Sequence, residues 1–110
     1  MIKKLKEYIE FLTSIEVGIF NFFKSPARFN VDKLVNDLVE WTLEIEPASL
    51  KAECMTHVRQ FSYHANEYAW PTGERPEYIL RRELLYCLEI ITAMQAVCVA
   101  EYELRTMKEF

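Results

Sequence analysis

Residues 76–110 read PEYILRRELLYCLEIITAMQAVCVAEYELRTMKEF, and this stretch decides the fold. Leu80, Leu84, Cys87, Ile91, Met94 and Cys98 step by four, three, four, three and four. They therefore share one side of a helix of about 3.6 residues per turn. Pro76 suits the first helical position, and Glu77 stands where the positive end of the helix dipole favours an acid. A second flank, Leu85, Leu88, Ile90 and Val97, widens the apolar surface toward two neighbours. A helix this apolar is not stable alone in water, so the rest of the chain is expected to cover it.

Working back from Pro76, residues 70–76 (WPTGERP) hold two prolines and a glycine and read as a turn. Before it, residues 48–69 read as a helix with Leu50, Cys54, Val58, Phe61 and Ala65 inward, entered through Glu46-Pro47. A shorter helix over 31–45 turns Val31, Leu34, Val35, Leu38, Trp41, Thr42 and Ile45 to the core. Asn30 is a good cap for it, and Asp32 lies in its first turn. Residues 2–24 give the first helix, with Ile2, Leu5, Ile9, Leu12, Ile15, Ile19 and Phe22 as its stripe and Tyr8, Phe11 and Phe23 beside it. Gly18 is a weak point in it, worth about 1 kcal/mol against Ala, and a place for a kink or a close helix contact. Ser25-Pro26 ends it, because the residue before proline is pushed out of the helical region. The expected fold is all-α: residues 1–110 as one domain, an antiparallel bundle of about four helices, the last longest.

Composition narrows the function. The 110 residues are 51% apolar with two glycines and a net charge of −4, which suits a compact helical domain. A surplus of acid argues against general nucleic-acid binding, because phosphates must be neutralised by Lys and Arg. Cys54, Cys87 and Cys98 are odd in number and lie inside helical patterns, and no zinc-type Cys/His spacing is present. They read as reduced, buried thiols, which places the protein in the cytoplasm. Lys3, Lys4 and Lys6 precede an apolar run, but Glu7, Glu10 and Glu16 interrupt it, so no signal peptide is expected. Leu84 to Val99 is broken by Glu89, Thr92 and Gln95 and reads as too short for a membrane span.

Arg59-Gln60-Phe61-Ser62-Tyr63-His64 resembles the signature of the HEPN superfamily of small helical ribonucleases and nucleotide-binding domains, an Arg, a polar residue, three residues and a His. The resemblance implies acid–base work by His64 on an RNA hydroxyl and stabilisation of phosphate charge by Arg59. Glu53, His57, Gln60 and His64 form a second polar stripe. It lacks the Glu-x-x-His pairs of di-iron bundles, so no metal and no cofactor are expected.

The strongest charge signal is elsewhere. From residue 32 to 46 five acids stand against Lys33 alone, and Asp37, Glu40 and Glu44 form a ridge on one side of the second helix. Trp70, Arg75 and Tyr78, near the turn, belong to the residue types that anchor interfaces. Together these point to a non-enzymatic acidic binder that neutralises a basic protein partner, as toxin-immunity proteins and phage inhibitors do. Assembly with further copies through the long helix is a compatible reading.

Overall fold

The computed structural model describes residues 2–24, 30–69 and 76–108, and these form four helices. They are α1 (Ile2–Lys24), α2 (Val31–Leu43), α3 (Ala48–Ala69) and α4 (Glu77–Lys108). Among the described residues there is no strand. Ser25 and Pro26, taken as the end of α1, and the turn residues 70–75 lie outside the described residues.

The helix ends follow from local chemistry. The Asn30 side chain accepts a hydrogen bond from the Lys33 amide at 3.0 Å and caps α2. The Pro47 carbonyl accepts from the Lys51 amide at 3.0 Å, so Pro47 sits just ahead of the first turn of α3. Pro76 does the same for α4, its carbonyl accepting from the Ile79 amide at 3.0 Å. It is thus a capping residue rather than the first helical one.

The expected centre of the fold is its centre. Leu84, Cys87, Ile91, Met94 and Cys98 are buried along α4, and α1 and α3 pack on either side of it. α2 packs in turn on α3. The direction alternates along the chain: Gln95 of α4 reaches Thr13 of α1, Cys54 of α3 meets Cys98, and His64 meets Glu83. α4, about 48 Å long at 1.5 Å per residue, runs nearly the whole of a body 55 Å in its longest dimension.

Three positions differ from the sequence reading. Tyr8 is fully buried while Ile9 is only partly so, because Leu5, Tyr8, Leu12, Ile15 and Ile19 keep the tighter three-four spacing. Leu85 is 45% exposed and does not join the inner face of α4. α1 runs through Gly18 without a break, and a Cβ built on it has nothing within 4 Å, so no close helix contact lies there. By length and composition α4 does reach what a membrane span needs, contrary to expectation, and 33% of its most apolar 18-residue stretch is buried inside the bundle.

All three cysteines are free and buried. Burial first, and the nearby Glu83 carboxylate second, push the Cys87 thiol from 9.0 up to about 12. The Cys98 thiol is also raised, by its 3.8 Å hydrogen bond to Cys54 and by burial. A group whose pKa is higher in the folded chain contributes stability that is complete below its unfolded value and is lost as pH rises through the folded one. The midpoint of urea unfolding should therefore fall steadily from about pH 9 toward pH 12, and Cys87→Ala should flatten part of that slope. A midpoint constant across this range would show that the thiols ionise in the folded chain.

Candidate functional site

The fourth side of the bundle, between α1 and α2, is built differently from the other three. Here the helices meet through large side chains rather than through close backbones. Phe11 stacks on Trp41 with ring centroids 4.8 Å apart and planes 8° from parallel. One turn away the Thr42 hydroxyl donates to the Leu38 carbonyl at 2.6 Å and accepts from Tyr8 Oη at 2.8 Å. The direction follows because the single hydroxyl proton of Thr42 is already given to the carbonyl. These aromatic groups hold the two helices apart. Further along α1, Gly18 supplies no side chain to fill the gap.

The result is an open groove of about 310 Å³ whose apolar lining is Phe11, Ile15, Ile19, Phe22 and Leu34. Ser14, Asn30, Lys33 and Asp37 edge it, and Gly18 forms part of its floor. Its charged surroundings are mostly acidic. Asp37 is in the lining and accepts from Lys33 Nζ at 2.9 Å, and Lys33 is the one cation in the lining among the described residues. Glu40 and Glu44 continue along α2 at helical spacing from Asp37 and are exposed, as are Glu7 and Glu10 one turn ahead of Phe11 and Ser14 on α1. Among the described residues none of these four glutamates has a side-chain partner.

Of the three acids Asp37, Glu40 and Glu44, Asp37 lines the groove, Glu40 is exposed on α2 and Glu44 is exposed at its C-cap. The aromatic pair beside the groove is Phe11–Trp41. Trp70 and Arg75 lie outside the described residues. Tyr78 is 69% exposed on the first turn of α4, away from the ridge on a helix that does not pack closely on α2. Trp41, read as facing the core, is partly buried and packs against it. Its position four residues after Asp37 and three before Glu44 was the signal that it shares their edge of α2.

The second candidate lies between α3 and α4. Glu83 is buried, and its carboxylate accepts from His64 Nδ1 at 2.6 Å, with a guanidinium nitrogen of Arg82 3.7 Å from its other oxygen. A buried carboxylate requires such partners. The rings of Tyr86 and Tyr63 flank His64 at 4.7 and 5.1 Å. This arrangement fixes Nδ1 and leaves Nε2 as the ring atom for proton exchange. Arg59 is exposed, about 140° further round α3 at 100° per residue. His57 Nδ1 lies 2.9 Å from the Glu53 carbonyl, and among the described residues no three His, Cys, Asp or Glu side chains are grouped to hold a metal.

No known protein family, curated protein or solved structure matches the chain.

Proposed function

We propose that this protein is a non-enzymatic cytoplasmic binder whose acid-edged groove between α1 and α2 takes up a basic amphipathic helix of another protein. The observation that carries this reading is an apolar groove flanked by four exposed glutamates, Glu7, Glu10, Glu40 and Glu44, with the Lys33–Asp37 pair at its edge. An amphipathic helix lays its apolar face into such a groove, and complementary charge at the rim speeds the encounter and fixes orientation. Blocking a basic surface of a toxin or nuclease is the corresponding cellular role, as in immunity proteins and inhibitors. No cofactor enters this reading.

Photo-crosslinking from an unnatural residue at Ser14 should identify the partner as a protein with a Lys- or Arg-rich helix. Reversing Asp37, Glu40 and Glu44 to Lys should then slow association by about tenfold or more and flatten its salt dependence, since exposed charges act mainly on encounter and are screened over about 8 Å. The fold should be retained, because exposed substitutions away from caps usually contribute within about 0.5 kcal/mol. An association rate unchanged by the triple reversal would place the interface elsewhere.

A second reading, an RNA-cleaving domain, is favoured by one observation, the carboxylate-bound His64 between two tyrosines. It requires an RNA cleavage activity that His64→Ala removes without loss of helicity. The separation of Arg59 from His64 around α3 makes it the weaker of the two.

A further inference from the structure

We propose that the outer face of α4 pairs antiparallel with the same face of a second copy of this chain, about a two-fold axis at Thr92. This face is separate from the α1–α2 groove, and the inference does not rest on the proposed function.

Opposite the buried stripe, α4 carries a second row of positions at steps of four and three, from Tyr78 to Glu103, and all of them are exposed. The row is about 38 Å long at 1.5 Å per residue. Its middle is small or apolar except for Glu89: Leu85, Thr92, Ala96 and Val99. Val17 and Phe20 of α1, 53% and 48% exposed, widen the same surface, since they share an edge with Thr13, which Gln95 of α4 reaches. Exposed apolar side chains gathered on one helix face mark a contact surface.

The charges in the row select the occupant. Arg82 stands near the start and Glu103 near the end, each exposed. Centring an antiparallel copy on Thr92 brings Arg82 within one residue's rise, about 1.5 Å, of the level of the partner's Glu103, and Glu103 likewise of the partner's Arg82. The same register sets Leu85 level with the partner's Val99 and Glu89 within one residue of the partner's Ala96, with no like charges opposed. Small side chains at Thr92 and Ala96 let the helices approach to the shorter end of the usual 8–10 Å. A parallel pair would oppose Arg82 to Arg82, Glu89 to Glu89 and Glu103 to Glu103. A membrane would have to take in all three charges unpaired. Centred on Thr92 the pattern is self-complementary, as the isologous contact of a two-fold dimer requires.

The test is a charge swap read by sedimentation equilibrium of the full chain. Wild type should show twice the monomer mass at tens of micromolar. Glu103→Arg, which sets two arginines against each other across the contact, and separately Thr92→Lys, which sets two lysines face to face on the axis, should weaken dimerisation at least tenfold while leaving helicity in place. Arg82→Glu combined with Glu103→Arg should restore the dimer. Within one chain these positions are about 31 Å apart, so rescue can only act between copies. Under a mild disulfide oxidant, Thr92→Cys should cross-link to itself and Val99→Cys should not. A monomer at 100 µM would overturn the proposal, as would a dimer that the single changes leave intact or that the double change fails to restore. A monomer whose α4 face binds phosphatidylcholine vesicles would overturn it in favour of a lipid surface.

Discussion

Ile91→Ala is expected to cost about 2–5 kcal/mol, the range for a large aliphatic side chain cut to Ala in a core. Ile91 is fully buried in the middle of α4, where α1 and α3 both pack against that helix. Removing three carbons there leaves a void that neither neighbour can close without moving away from the other. At about 4–8 °C per kcal/mol for a domain near this size, the melting temperature should fall by roughly 10–30 °C. Leu85→Ala on the outer face of the same helix is the control. In the monomer it should change stability by less than about 0.5 kcal/mol. Equal losses from the two, measured by urea unfolding at low protein concentration, would mean that α4 is not held by the face described.

Tyr8→Ala should be at least as damaging, at about 3–5 kcal/mol, because it removes a buried ring as well as a hydrogen bond. Tyr8 of α1 reaches the other three helices at one level: its hydroxyl donates to Thr42 on α2 and lies near the Cys54 and Cys98 thiols of α3 and α4. Tyr8→Phe keeps the ring and should cost only about 1 kcal/mol, since Thr42 still has the Leu38 carbonyl as acceptor. The difference between the two variants separates packing from polarity. A Tyr8→Ala protein as stable as Tyr8→Phe would show that the ring fills no essential space.

The four helices were legible because each carries a stripe that no proline or glycine cluster interrupts, and their limits agree with the structure to within a residue or two. What periodicity could not supply is which of several apolar positions a neighbour covers. α4 is apolar on most sides, so Leu85 looked as inward as Leu84 until α1 and α3 took their places. Tyr8 lost to Ile9 on hydropathy alone, although the spacing from Leu5 to Leu12 favoured it. Glu83 was unreadable as a buried acid, because the group that makes its burial tolerable, His64, is nineteen positions away on another helix. The acidic ridge was legible as charge. The groove beside it was not, since it depends on the distance at which Phe11 and Trp41 hold two helices apart, and only the missing side chain of Gly18 hinted at an opening.

That glycine also gives the most direct test of the groove. A side chain at position 18 grows into open space, so Gly18→Ala should fold normally and gain up to about 1 kcal/mol from helix propensity, while Gly18→Trp should fill the groove with an indole. The measurement is the dissociation constant of the crosslinked partner for wild type and for these two variants, alongside their melting curves. The account predicts near-wild-type binding by Gly18→Ala and at least a hundredfold loss by Gly18→Trp in a protein that still melts cooperatively. Full-strength binding by a folded Gly18→Trp protein would contradict it.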